Sequence, residues 1–164
     1  MDYLWTPWRY HYVIATSQPA ECVFCLAGRS ADDKDTLVVH RGTHNFVILN
    51  RFPYTAGHLM VVPYAHVALL ESLEEEAAME LMRLTRDCER MLRREYQPDG
   101  LNIGMNIGKS AGAGVASHIH QHILPRWTGD TNFLTTIAES RILPEPLDVT
   151  WERMSRAFSG GPAR

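Results

Sequence analysis

Cysteine is scarce in this chain. Three in 164 residues are too few for the disulfide framework that supports many small secreted domains. Long apolar runs are missing too: none approaches the roughly 20 residues that span a bilayer. The opening stretch, MDYLWTPWRYHYV, has neither the apolar centre nor the small-residue cleavage signal of a leader. Charge of one sign is equally sparse. A formal net charge of −3 provides no basic face for a nucleic-acid backbone. These absences argue against a disulfide scaffold, a membrane protein and a nucleic-acid binder. The expectation is a cytoplasmic protein with no nucleic-acid or membrane partner.

What is present suits a folded enzyme-sized unit. Hydrophobic residues make up 45% of the chain, enough for a sizeable core. A single domain over 1–164 is expected, with a core of about 22–134 and a C-terminal extension over 135–164. Residues 1–20 form an irregular aromatic arm (Tyr3, Trp5, Trp8, Tyr10, Tyr12) packed on the body or on a second subunit. DTLVVH (35–40), NFVILN (45–50), GHLMVVP (57–63) and LNIGMNIG (101–108) read as strands. RFPYTAG between the second and third carries turn residues. Ser72 and Glu75 make a capping box for a long helix. Its apolar face takes Ala78, Leu81, Met82, Leu84, Cys88, Met91 and Leu92, recurring at three and four. Pro98 and Gly100 close it, and a short helix is expected near 147–158. Strands interrupted by one long helix imply an α+β fold with an antiparallel sheet of about five strands.

Three of the eight histidines stand at alternate positions in SHIHQHILPRW, from Ser117 to Trp127. On a strand this spacing puts His118, His120 and His122 in one row on one face. Pro125, which lacks a ladder donor, is expected to end that strand. A single buried histidine is usually a hydrogen-bonded core residue. Three in register each need a partner, which points to metal, phosphate or catalysis. Neutral imidazole can attack phosphorus directly, splitting one displacement into two through a covalent intermediate.

Two further motifs compete for roles. GMNIGKS (104–110) looks like a phosphate loop, but Gly104 lies one residue too close to Gly108 for the Walker spacing. It survives as a glycine loop whose amides could approach phosphate, or as a plain hairpin turn. Cys22 and Cys25 form a lone C-x-x-C, fit for redox chemistry or for zinc. Zinc would need two more ligands, with His66 and His118 as candidates. Cys88 falls on the apolar helix face and reads as core. His44 and His58 stand in turn-like contexts and read as non-catalytic, with His58 hydrogen-bonded within the sheet.

HIHQHILPRW resembles the mark of the histidine triad (HIT) superfamily. CVFC, NFVILNRFPYTAGHLMVVPYAHV and GLNIGMNIG extend the likeness over roughly 22–134. LWTPWRYHYV, NRFPYTAGHLMVVPY and PRWTGDTNF resemble the bacterial branch that carries diadenosine tetraphosphate phosphorylases. The resemblance implies a HIT-like fold, usually a homodimer, acting on adenine nucleotides or dinucleoside polyphosphates with orthophosphate or water as acceptor. By position, His120 matches the nucleophile that carries a nucleotidyl group, and His122 a phosphate contact. Asn50 matches a residue near the ribose, and Asn106 one beside the α-phosphate. Lys109 is an alternative phosphate contact or a solvated loop residue. Many members place a hydroxyl just before the triad, where this chain has AGV (113–115); Ser110 or Ser117 is the candidate substitute. Trp127 walls the nucleotide pocket or packs as an ordinary apolar residue. Asn132 and Phe133 are candidates for reaching a ligand from a partner subunit. The resemblance also implies a structural zinc held by Cys22, Cys25, His66 and His118. Two rival classes remain: a non-catalytic, zinc-stabilised nucleotide-binding dimer, and a redox or purely structural metal protein.

Overall fold

The computed structural model describes residues 21–130 and 145–160. The aromatic arm over 1–20 and the positions of Asn132 and Phe133 lie outside the described residues. Five antiparallel strands form one sheet in the order β1-β2-β3-β5-β4. They are β1 (Val38–Arg41), β2 (Asn45–Leu49), β3 (Leu59–Pro63), β4 (Gly100–Met105) and β5 (Gln121–Arg126). Among the described residues, four α-helices accompany them: α1 (Val23–Arg29), α2 (Asp33–Thr36), α3 (Glu75–Tyr96) and α4 (Leu147–Phe158). The α+β expectation of a five-stranded sheet with a long and a short C-terminal helix agrees with this architecture. Among the described residues no helix is long and apolar enough to cross a membrane.

The sheet's two faces have separate duties. Ile48 pairs with Met60, and Met60 with His122, so these three share one face. Val47, Val61 and Gln121 form the neighbouring row, which alternation turns to the other face. That face packs on α3, where Gln121 Nε2 donates to Thr85 Oγ1 at 2.7 Å. The row containing His122 is thus left free to build a site. α4 covers β1, and Trp151 Nε1 donates to the Val38 carbonyl at 2.7 Å.

Several boundaries differ from expectation. Asp35 and Thr36 belong to the turn of α2 rather than to a strand. The Asp32 carboxylate accepts from the Asp35 amide at 3.0 Å, and Leu37 reverses the chain at φ 64°. Ser72 does not cap α3. It closes a 3-10 turn (Leu70–Ser72) that seats buried Leu73, and the helix starts two residues past Leu73, at Glu75. Met82 is exposed, while Glu80 and Thr85 are buried on the helix face. β4 stops at Met105, because Gly108 and Gly112 turn the chain through φ 82° and 87°. β5 starts at Gln121, so only His122 of the three histidines is in the ladder. It also runs through Pro125, whose partner is Leu101 of β4. The β3 pairing ends at Ile123, so on that side the proline breaks no ladder bond.

Glu80 explains how the β1–β2 turn is held. Its carboxylate accepts from the amides of Thr43, His44 and Asn45 at 2.9, 2.6 and 2.8 Å, and from Asn45 Nδ2 at 3.1 Å. Burial pushes the carboxyl upward, but these donors together outweigh it and hold the group at about 2, below the ordinary 4.5. A folded value below the unfolded one contributes stability above pH 4.5 that is lost as pH falls toward 2. The interval corresponds to about 3 kcal/mol. Denaturant titration of Glu80→Gln is therefore expected to show a deficit of about that size near neutrality, shrinking on acidification. A deficit that stays constant with pH contradicts this account.

Candidate functional site

A pocket of about 420 Å³ opens on the free face of the sheet, and both His120 and His122 line it. Its apolar walls come from α1 (Val23, Phe24, Ala27) and from Leu37, Ile48 and Met60. Asn50, Arg51 and Asn106 supply polar atoms. An apolar slot ending in a few polar groups is the form of a small-molecule site.

Hydrogen bonding assigns the imidazole tautomers. His120 Nδ1 lies 2.9 Å from the His118 carbonyl. A carbonyl only accepts, so Nδ1 carries the hydrogen and neutral His120 keeps its lone pair on Nε2. Burial lowers the His120 pKa, with the His118 carbonyl opposing, which keeps the ring neutral at physiological pH. The same reasoning orders the next pair. The Tyr54 amide donates to His58 Nδ1 at 3.2 Å, so His58 Nε2 bears the hydrogen. That nitrogen is 2.9 Å from His122 Nδ1, which must accept. His122 therefore presents Nε2–H as a donor. Burial, then the adjacent His120, pushes the His122 pKa down to about 4. The rings of His120 and His122 meet at 4.8 Å and 73°. A nucleophilic nitrogen and a hydrogen donor stand side by side.

His58 is buried at 1% exposure, and the sequence reading did not connect it to the site. It is hydrogen-bonded as expected, but its partner is His122. The signal lies in the β3–β5 pairing, which sets Met60, two residues from His58, opposite His122 and is invisible along the chain.

His118 points elsewhere, so the expected single row of three rings does not form. Its Nδ1 lies 3.3 Å from Cys22 Sγ and 3.6 Å from Cys25 Sγ. Cys25 Sγ is 3.2 Å from His66 Nδ1. The four donor atoms all lie within 4.8 Å of one another. A tetrahedral zinc with bonds of about 2.0–2.3 Å puts its ligand atoms roughly 3.3–3.8 Å apart. His118 Nε2 donates to the Pro63 carbonyl at 2.8 Å, leaving Nδ1 as the lone-pair atom. Fixing a ligand's tautomer in this way is the usual outer-shell arrangement around a metal. Two thiols and two imidazoles so placed fit a metal ion.

The remaining sequence candidates divide by position. Asn50 and Asn106 line the pocket, and Asn50 Oδ1 accepts from the Phe52 amide at 2.9 Å. Lys109 and Ser110 are exposed on a 3-10 turn (Lys109–Ala111). Gly112, Gly114 and Val115 line the pocket in their vicinity. Trp127 is half-buried, its ring edge-on to Tyr96 at 6.5 Å, and is not part of the lining.

Residues 31–129 match the family model of the HIT domain. A curated relative from Mycobacterium tuberculosis, named AP-4-A phosphorylase, is 38% identical over 97% of this chain and 85% of its own length. Two solved structures share the fold at a TM-score of 0.67. One is a zinc-bound histidine triad family protein from Mycobacterium smegmatis, 26% identical over 85% of this chain and 94% of its own. The other is a hypothetical histidine triad nucleotide-binding protein from Sulfolobus tokodaii, 25% identical over 85% and 93%.

Proposed function

The chain belongs to the HIT domain family, and on that premise we propose that it is an enzyme transferring a nucleotidyl group through His120. The observation that carries this is the tautomer of His120, whose Nδ1–H is held by the His118 carbonyl. In the first step the Nε2 lone pair attacks the α-phosphorus of diadenosine tetraphosphate. The bond from that phosphorus to the bridging oxygen breaks, and ATP leaves with the electron pair. In the second step an orthophosphate oxygen attacks the same phosphorus. The P–N bond breaks, ADP forms and the imidazole lone pair returns. Water in place of orthophosphate gives AMP. The name and extent of the Mycobacterium tuberculosis relative support phosphate as the acceptor.

The departing polyphosphate is a stable anion, so the absence of a hydroxyl in AGV (113–115) is tolerable. His122 donates Nε2–H to a phosphoryl oxygen, Asn106 faces the α-phosphate and Asn50 the ribose. Lys109, Ser110 and Trp127 are not needed in this reading. Cys22, Cys25, His66 and His118 would hold zinc, with all four positions filled by protein, as in structural sites. Such an ion supplies rigidity. Exposed Asn102, Ile103 and Gly104 on edge strand β4 support pairing with a second copy, since bare edges invite cover. A cytoplasmic location fits these substrates.

Incubating the protein with diadenosine tetraphosphate, with and without orthophosphate, tests the acceptor. Phosphate-dependent formation of ADP and ATP in equal amounts is expected. AMP and ATP formed at a rate indifferent to phosphate would mark a hydrolase.

A further inference from the structure

One aromatic ring joins the four-residue cluster to the histidine pair. Phe24 stands between Cys22 and Cys25, in the first turn of α1. Its ring meets His118 edge-on, with centroids 5.5 Å apart and planes at 76°. The same ring lies against His120 at 4.8 Å and 48°. It is 6% exposed.

The need for such a contact follows from how His120 is held. One hydrogen bond, from Nδ1 to the His118 carbonyl, restrains an edge of the ring but leaves the ring able to tilt about it. His122 meets one side of the ring at 4.8 Å, and Phe24 supplies a second flank. Attack on phosphorus needs the Nε2 lone pair aimed in line, and a misplacement of about 1 Å can cost about 100-fold in rate.

We infer that Phe24 is a positioning residue for His120, and that the Cys22, Cys25, His66 and His118 cluster acts on the histidine pair through it. The inference rests on the reading of His120 as nucleophile and of the cluster as a metal site. The far end of α1 has its own fastening. Arg41 donates to the carbonyls of Gly28, Ala27 and Ser30 at 2.7, 3.1 and 2.7 Å. Emptying the cluster therefore frees the first turn, with Phe24, while Arg41 keeps the helix on the body. The coupling is reciprocal: whatever holds His120 in place also favours the closed cluster.

The test uses the full-length, zinc-loaded protein as wild type, Phe24→Leu and Phe24→Tyr. Phe24→Leu is expected to keep its zinc and its fold while kcat falls by about 10- to 100-fold; because Phe24 also lines the pocket, KM rises too, by a smaller factor than kcat falls. Phe24→Tyr, which keeps the ring, restores most of kcat. In ¹⁵N spectra the wild-type His120 shows the Nδ1–H tautomer alone, and Phe24→Leu shows a mixture. Chelating the metal from wild type gives the same mixed His120 signal, and chelating it from Phe24→Leu changes that signal no further. Wild-type kcat and an unchanged His120 signal in zinc-loaded Phe24→Leu overturn the inference. So does chelated wild type with an undisturbed His120. Should Phe24→Leu fail to fold, the chelated wild-type spectrum decides. If His120→Ala turned over like wild type, the nucleophile assignment would fall and Phe24 would lose its catalytic meaning, whereas a fault in the coupling alone leaves His120→Ala inactive.

Discussion

His120→Ala is expected to lower turnover of diadenosine tetraphosphate by on the order of 10⁴-fold or more, because removal of a covalent nucleophile leaves only binding and electrostatics. The other imidazole lining the pocket does not take over. His122 Nδ1 is occupied by the hydrogen from His58 Nε2, so that ring offers a hydrogen rather than a lone pair. The asparagines carry no usable nucleophile. Nucleotide affinity is expected to survive, since the pocket walls from α1 and the sheet are untouched. The check is single-turnover kinetics alongside AMP binding by calorimetry. Retained turnover, or loss of affinity in proportion to loss of rate, contradicts the assignment.

Cys22→Ser carries the second large effect, on stability rather than on chemistry. The cluster gathers three distant parts of the chain, at 22–25, 66 and 118. A serine hydroxyl does not replace a thiolate as a zinc ligand at neutral pH. Metal binding that requires the folded arrangement adds its free energy to folding. The variant is expected to lose zinc and to melt about 10 °C or more below wild type. A chelator should lower the wild-type melting temperature and leave that of Cys22→Ser nearly unchanged. Turnover of the folded variant should fall by about tenfold, far less than for His120→Ala, because its nucleophile remains. Unchanged zinc and melting with a large catalytic loss would reverse the division of labour between cluster and pair.

Much of this arrangement was legible along the chain, and the rest failed for identifiable reasons. The strands at 45–49 and 59–63 follow from short continuous apolar runs, every residue of which is buried, and the helix at 75–96 from apolar residues recurring at three and four, which bury one face. The cysteine pair and two histidines implied by the family likeness do converge. By contrast, alternation alone placed His118, His120 and His122 in one row, yet the ladder begins only at Gln121. Before it, the chain is free to turn His118 toward the cysteines. The Ser72 capping box failed because burial of Leu73 takes the preceding residues into a 3-10 turn. Glu80 and Arg41 look like surface charges in sequence. Each proves to collect backbone groups from a segment 11 to 37 residues away, a distance no local pattern reports. His58 was missed for the same reason: its partner is 64 positions distant. Residues that position the site through tertiary hydrogen bonds leave no periodic trace.

The most direct test of nucleotidyl transfer is to quench wild type during turnover of diadenosine tetraphosphate and map the protein by mass spectrometry under conditions that preserve phosphoramidates. One adenylyl group on the peptide containing His120, discharged as ADP when orthophosphate is added and absent from His120→Ala, is the predicted result. Product formation by wild type with no adduct at any time, or with the adduct on another residue, would contradict it.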